Sequence, residues 1–173
     1  MIKIALDIMG GDNAPQSNIG GAIDFLNKNQ GSVKIYMIGD EKIILSELEK
    51  NTKISNNNFE IIHTSQIIDL DDQPSKIIKR KPDSSMNKAI CLLKDNIVDA
   101  VISSGNTGCL VSSAFFNLGT IDNIKRPALF TIIPSENGSF LLGDVGANSS
   151  SNPNQLLQFS KMASIYMECL LKI

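Results

Sequence analysis

The residues from 103 to 108, SSGNTG, have the composition of an anion-binding loop. Two glycines let successive backbone N–H groups converge on one point, and the predicted helix that follows adds a partial positive charge at its N-terminus. The same donors would stabilise the oxyanion formed when a thioester carbonyl is attacked, an effect of about 3–4 kcal/mol for one well-placed donor. An ordinary capped helix start remains an alternative. The candidate residues are Ser104, Gly105 and Gly108 for binding, and Asn106 and Thr107 for catalysis.

A second glycine-containing loop, DIMGGD at 7–12, directly follows the first apolar run of the chain. Paired glycines permit positive φ and close approach of the backbone to a ligand. The two carboxylates disfavour a bare phosphate cradle, so the loop is a candidate for an anion or a pantetheine arm, or is simply a tight turn. Its candidate binding residues are Asp7, Gly10, Gly11 and Asp12.

A third loop, LGDVGAN at 142–148, again follows an apolar run and precedes a predicted helix. Asp144 is a candidate to orient a donor or accept a proton, while Gly146 and Asn148 are candidate substrate contacts. A solvated turn carboxylate is the alternative for Asp144. The SSGNTG loop has neither the spacing of a Walker loop nor that of the dinucleotide-binding fingerprint, so nucleotide binding is not supported.

The basic segment between 76 and 81 lies in a chain of net charge -2. It is followed by a serine-rich helix start, so that phosphate or an acidic protein could dock there, although runs of charge are commonly solvated faces. The candidate binding residues in and after this segment are Lys79, Arg80, Lys81, Ser84 and Ser85.

His63, the one histidine of the chain, ends a predicted strand. It is a candidate for proton transfer, with a structural role as the alternative. No Ser-His-Asp or Cys-His spacing can be assigned, so direct attack by bound phosphate is simpler than covalent catalysis.

Strand and helix patterns alternate around these loops. Apolar runs predict strands, and segments with apolar residues at helical spacing predict helices between them. This order favours a mostly parallel sheet with helices on both faces, a three-layer α/β fold, in one domain over 1–173. The predicted strands are 2–6, 34–38, 59–63, 100–103 and 129–133, and the predicted helices are 17–29, 40–50, 86–94, 107–118 and 153–171.

The composition narrows the class of protein. With 42% hydrophobic and 20% charged residues, the chain can bury the core of about one domain. Three cysteines lie in apolar segments without metal-ligand spacing, which favours reduced, buried thiols in the cytoplasm. The absence of Trp and the mild acidity give no footprint for nucleic acid. No apolar run is long enough to span a bilayer.

Taken in order, five segments resemble the phosphate acyltransferase family of bacterial phospholipid synthesis, PlsX: DIMGGD at 7–12, IDLDDQPSKIIKRKPDSSM at 68–86, SSGNTG at 103–108, RPAL at 126–129 and GDVGAN at 143–148. The resemblance implies that acyl carrier protein thioester and inorganic phosphate give acyl phosphate and free carrier protein, without metal, nucleotide or other cofactor. It also implies a fold similar to phosphotransacetylases and isocitrate dehydrogenases, and a homodimer.

The resemblance further implies a longer chain. Family members have an additional C-terminal part with helices for dimer contact and membrane docking, so peripheral membrane association is expected only through that part. The predicted last helix runs to Ile173 without a glycine cap, and we expect an incomplete, N-terminal portion of the family domain. Two other hypotheses stay open: a short-chain phosphotransacetylase using coenzyme A thioesters, and a non-catalytic truncated fragment.

Overall fold

Contacts divide the chain into two compact units, Met1–Leu118 and Gly119–Ile173. The computed structural model describes residues 1–29, 31–50, 58–136 and 138–171. The stretch 51–58 contains four asparagines, a composition that predicts a polar surface loop, and it lies largely outside the described residues. The single domain over 1–173 stays a prediction, and the two units are described separately.

The first unit alternates strands and helices. Its strands are β1 (Ile2–Asp7), β2 (Val33–Gly39), β3 (Phe59–His63) and β4 (Ala100–Ile102). Its helices are α1 (Gln16–Lys28), α2 (Glu41–Lys50), α3 (Ile77–Arg80, preceded by a 3-10 turn at Pro74–Lys76), α4 (Ser85–Lys94) and α5 (Thr107–Leu118). The helix α3 was not predicted, and the other bounds lie close to the predicted ones.

The four strands form a parallel sheet in the order β3-β2-β1-β4. The chain builds outward from β1 through β2 to β3 and then returns to place β4 on the other side of β1. This reversal makes the crevice between the ends of β1 and β4 a topological switch point, where open α/β sheets bind ligands.

Helices cover both faces of this sheet. Successive side chains of β2 alternate between two cores: Ile35 and Met37 pack with α1 and α2, whereas Tyr36 and Ile38 pack with α4. The alternation follows from the two-residue period of a strand. Helices on opposite faces confirm the predicted three-layer α/β class.

The second unit consists of a hairpin and a helix. Its elements are β5 (Phe130–Ser135), β6 (Gly138–Gly143) and α6 (Pro153–Tyr166), followed by a π turn at Met167–Leu171. The strand expected at 129–133 therefore forms, but it pairs antiparallel with β6. Only two residues separate these strands in sequence, and parallel neighbours need a longer crossover.

No described helix in either unit has the length and apolar character needed to cross a membrane.

Candidate functional site

The first two glycine loops meet at the switch point. The parallel register pairs Leu6 with Ile102, so the loops after β1 and β4 leave the sheet at the same edge. A Cβ on Gly10 would lie 2.9 Å from the backbone nitrogen of Gly105, which shows how closely the two loops approach. The first two candidate loops therefore lie side by side in the first unit.

Asp7 lies beneath this junction and is only 1% exposed. Its Oδ2 accepts a hydrogen bond from Ser103 Oγ at 2.7 Å, and its Oδ1 accepts one from the N–H of Met9 at 3.2 Å. Burial keeps Asp7 away from a ligand on the surface, although the sequence selects it as a binding candidate. That direct role stays a prediction.

Ser104 ties the second loop to the first. Its hydroxyl donates to the carbonyl oxygen of Gly10 at 2.8 Å, and the Asn18 amide donates to the same oxygen, also at 2.8 Å. Gly11 has a φ of +105° and passes so close to Ser104 that a Cβ would lie 2.7 Å from its Oγ. Glycine is therefore required at this position both by conformation and by space.

The N-terminus of α5 carries the donors of the second loop. Asn106 caps the helix, since its Oδ1 accepts from the N–H of Cys109 at 3.0 Å. Within the described residues of the first unit, the backbone N–H groups of Thr107 and Gly108 have no acceptor, and the Thr107 side chain is exposed. Unpaired N–H groups at a helix N-terminus carry partial positive charge and favour an anion.

Residues 65–72 cross in front of these loops, and we call this segment the strap. The side-chain amide of Asn106 donates to the carbonyl oxygen of Leu70 at 2.7 Å, which fixes the strap to the second loop. At the start of the strap, Ser65 donates hydrogen bonds from both its N–H and its hydroxyl to Asp83. These bonds hold the pKa of Asp83 below its ordinary value.

Lys81 holds the other end of the strap. Its Nζ lies 2.8 Å from Asp69 and 2.5 Å from Asp72. Hydrogen bonds to these carboxylates raise the pKa of Lys81, and the bond from Lys81 lowers the pKa of Asp72. The ammonium group of Lys81 is thus engaged within the protein, and phosphate binding by this residue stays a prediction.

A pocket of about 170 Å³ lies between the two loops and the strap. Its lining combines peptide groups and polar side chains with apolar ones, including Asp12, Ile67, Leu70, Gly105 and Asn106. Because the carboxylates of Asp12 and Asp69 repel anions, the favourable place for a phosphate is the N-terminus of α5 rather than the first loop.

The other candidates around the basic segment occupy two different environments. Ser84 is fully buried and caps α4 by accepting from the N–H of Asn87, and Ser85 is also buried. Lys79 and Arg80 are exposed at the end of α3, which packs against α5. Of the basic candidates, these two have side chains open to solvent, and their contact with phosphate stays a prediction.

His63 lies at the end of β3, two strands away from β1. Its Nδ1 accepts the backbone N–H of Glu41 at 3.2 Å, at the start of α2. With strands spaced about 4.8 Å apart, this side of the sheet is roughly 10 Å from β1. The geometry supports a structural role, and catalysis by His63 stays a prediction.

The third loop belongs to the second unit. Asp144 accepts hydrogen bonds from the backbone N–H groups of Leu129, Ala147 and Asn148 and from the Asn148 side chain. Burial opposes its ionisation, but these bonds outweigh burial and lower the pKa of Asp144. Both oxygens of this carboxylate accept hydrogen bonds from loop residues, so Asp144 is suited to stabilising the conformation of the loop. Proton acceptance by Asp144 and ligand contact by Asn148 and Gly146 stay predictions.

Two residues important to the site were not selected from the sequence. Ser103 links the loops through Asp7, and Asn18 donates to the carbonyl oxygens of Ile8 and Gly10 from the first turn of α1. Ser103 lies within the SSGNTG motif, which was a usable signal. Asn18 looks like any polar residue on an amphipathic helix, and no local pattern marks it.

Comparisons with known proteins identify relatives along almost the whole chain. A family model described as "Fatty acid synthesis protein" matches residues 2–173. The chain is 40% identical over 172 residues to a phosphate acyltransferase of Clostridium tetani, covering 99% of this chain and 51% of that protein. It is 42% identical over 166 residues to that of Clostridioides difficile, covering 95% and 48%. A third relative, from Listeria innocua, is 40% identical over 173 residues.

The chain spans about half the length of the curated relatives it matches. The family model, in contrast, covers nearly the whole chain, and the predicted resemblance to phosphate acyltransferases is confirmed. This protein therefore belongs to the fatty acid synthesis protein family, with phosphate acyltransferases among its relatives.

Proposed function

We propose that the chain contributes the phosphate-binding part of a phosphate acyltransferase, which converts acyl-[acyl carrier protein] and inorganic phosphate to acyl phosphate and free carrier protein. The observation that carries the proposal is the N-terminus of α5, where the N–H groups of Thr107 and Gly108 lack acceptors within the described part of the first unit. They lie beside a pocket at the switch point of the sheet. The relatives are named phosphate acyltransferases, which supports acyl transfer to phosphate.

Phosphate suits this position for electrostatic reasons. The helix N-terminus contributes roughly half a positive charge, and the exposed Thr107 hydroxyl adds a donor next to the free N–H groups. Lys79 and Arg80 extend from the end of α3, which packs against the same helix, and supply cations that draw the dianion toward it.

The reaction needs no covalent enzyme intermediate. A phosphate oxygen attacks the thioester carbonyl carbon, a C–O bond forms, and the developing oxyanion takes hydrogen bonds from the loop. When the tetrahedral intermediate collapses, the C–S bond breaks and the carrier thiolate takes a proton from solvent. The phosphate dianion already has a nucleophilic oxygen, so attack requires positioning more than a protein base.

The proposal also includes the acyl donor, the location in the cell and the oligomeric state. We propose acyl carrier protein as the acyl donor, a cytoplasmic location, and a homodimer in which the longer family chain supplies the dimer contacts and any membrane contact. These statements rest on the family resemblance. The half-length match makes turnover by the 173-residue chain alone a separate question.

Acyl phosphate formation can be measured directly. Purified protein is incubated with palmitoyl-[acyl carrier protein] and phosphate; acyl phosphate is trapped with hydroxylamine, and carrier thiol release is followed in parallel. We expect both products in equal amounts. We expect the double variant Asn106→Ala/Thr107→Ala to lose at least about 100-fold in rate, because it removes the Thr107 hydroxyl donor and the Asn106 cap that fixes the helix N-terminus. Normal turnover by the double variant contradicts the assignment.

Two further arms separate the other hypotheses. Turnover with acetyl-CoA but not with long-chain acyl carrier protein indicates a short-chain phosphotransacetylase. Phosphate binding in the millimolar range without turnover, together with a monomeric sedimentation profile, indicates a half-site that needs the remainder of the family chain. Absence of both binding and turnover favours a non-catalytic fragment.

A further inference from the structure

We propose that Ser103, held by the buried carboxylate of Asp7, is a positioning residue that aims the N–H groups of residues 105–108 at the bound phosphate. This inference rests on the proposed function and deepens it. It gives Asp7 an indirect role and identifies Ser103 as part of the same unit.

The Ser103 hydroxyl has a fixed donor role toward Asp7 and a fixed acceptor role toward Gly105. Its hydroxyl donates to Asp7 Oδ2 at 2.7 Å, and the same oxygen accepts the N–H of Gly105 at 3.2 Å. A hydroxyl has one hydrogen, and a carboxylate has none to give. Once that hydrogen is committed to Asp7, a lone pair of Ser103 Oγ is available to hold the Gly105 peptide.

Gly105 needs such external support. Glycine has the widest choice of backbone conformation, so its peptide plane is the easiest in the loop to rotate. The N–H groups of Asn106, Thr107 and Gly108 follow directly, and a rotated Gly105 peptide would change where they point. Fixing this one peptide therefore preorganises the donors before phosphate arrives, which lowers the entropic cost of binding.

The environment makes this control strong. Asp7 is 1% exposed, so water competes little for its oxygens, and hydrogen bonds in such surroundings are stronger than in water. None of the ion pairs found among the described residues involves Asp7. Its charge is instead met by the hydroxyl of Ser103 and the N–H of Met9, which couples the ionic group to the loop geometry.

Gly10 leaves Asp7 and Gly105 no room to adopt a different arrangement. A Cβ at Gly10 would lie 2.5 Å from Asp7 Oδ2 and 3.0 Å from the Cα of Gly105. The carboxylate, the first loop and the second loop are thus in close contact at a single point. A shift of Asp7 would be transmitted to Gly105 rather than absorbed by free space.

The test compares phosphate binding by three forms of the protein that differ at position 103: wild type, Ser103→Ala and Ser103→Thr. Inorganic phosphate is titrated into the full 173-residue chain while the ¹H–¹⁵N signals of Gly105 and Gly108 are followed. We expect Ser103→Ala to weaken binding about 10-fold, the scale of one lost hydrogen bond, and Ser103→Thr, which keeps the hydroxyl, to bind within about threefold of wild type. The Gly105 signal of free Ser103→Ala should also shift.

Thr64→Val is the matched control. The Thr64 hydroxyl is buried and has no hydrogen-bond partner among the described residues, so this change removes a buried hydroxyl without breaking a bond. We expect unchanged phosphate affinity. Asp7→Asn provides a second variant should Ser103→Ala fold poorly: an amide can donate to Ser103 and reverse its hydroxyl, so affinity should again fall about 10-fold at similar thermal stability.

Three results would overturn the inference. Ser103→Ala or Asp7→Asn binding phosphate as tightly as wild type shows that the pair only joins β1 to β4. Equal losses in Ser103→Ala and Ser103→Thr show that the hydroxyl is not the active group. Lack of phosphate binding by the wild-type chain itself removes the proposed function first, which is a distinguishable failure.

Discussion

Ser103 Oγ lies 2.7 Å from Asp7 Oδ2, although the two residues are 96 positions apart in the sequence. The bond connects the ends of the neighbouring strands β1 and β4, where the first two glycine loops leave the sheet. A local change in either loop should therefore affect both the stability of the first unit and anion binding.

Gly10→Ala tests the close packing of the two loops. The new Cβ would meet Asp7 Oδ2 at 2.5 Å and the nitrogen of Gly105 at 2.9 Å, and neither neighbour is the free end of a flexible chain. We expect a loss of about 1–3 kcal/mol in the free energy of unfolding, measured in urea, and weaker phosphate binding.

Gly20→Ala is the control for that substitution. Gly20 lies within α1, and nothing stands within 4 Å of its Cβ position. Alanine should raise the free energy of unfolding by up to about 1 kcal/mol, since glycine is unfavourable inside a helix. Equal effects of the two changes would argue against tight packing at Gly10.

Asn106 has two structural bonds that substitutions can separate. Asn106→Ala removes both the cap on Cys109 and the bond to Leu70, and we expect a loss of about 1–2 kcal/mol in stability. Asn106→Asp keeps an oxygen for the cap but places a negative charge at the proposed phosphate position. Asn106→Asp should lose less stability than Asn106→Ala in thermal unfolding, and it should lose more phosphate affinity in a phosphate titration. Stronger phosphate binding by Asn106→Asp than by Asn106→Ala would show that the anion binds elsewhere.

Asp144 should make the second unit sensitive to acid. Its pKa is lowered in the folded protein, so its contribution to stability is complete above the ordinary carboxyl pKa of about 4 and is lost as the pH falls through the lower folded value. Asp144→Asn should destabilise the protein at pH 7, and the difference from wild type should shrink below pH 4.

Asn148→Ala gives the graded comparison for Asp144. It removes the side-chain donor to Asp144 at 3.1 Å but leaves the backbone donors in place. We measure the free energy of unfolding in urea from pH 7 to pH 3. The change of this free energy with pH in Asn148→Ala should be intermediate between those of wild type and Asp144→Asn. A pH-independent difference between wild type and Asp144→Asn would contradict the role of ionisation.

Lys81→Met tests whether the ion pairs hold the strap. The amide of Asp69 donates to Asp72, and both carboxylates lie against Lys81. Loss of the ammonium group should speed hydrogen exchange at the Asp69 amide by up to about fivefold, equivalent to ~1 kcal/mol for partly exposed pairs. High salt should reduce the difference.

Lys34→Met serves as the control for the strap. It removes another lysine–carboxylate pair, Lys34–Glu60, which joins β2 to β3. The exchange rate at Asp69 should not change. An equal increase in both variants would show a general loss of stability instead of a released strap.

Local patterns were sufficient to predict much of the protein. The helical spacing of Ile19, Ala22, Ile23 and Leu26 specified the buried face of α1, because each turn brings these side chains to one side. Alternating strands and helices predicted the three-layer class, and the ordered motifs predicted the family. These properties depend on neighbours in sequence, so they can be inferred before any long-range contact is known.

Tertiary structure alone decided where the candidate residues lie and which partners they have. The strand order brings Asp7 to Ser103 and leaves His63 two strands away, while packing buries Ser84 and Ser85 and ion pairs occupy Lys81. Each outcome depends on contacts between distant segments, whose burial and hydrogen bonds compete with ligand binding. Residue type and spacing therefore selected the candidate loops, and long-range packing determined which of their groups remain available to a ligand.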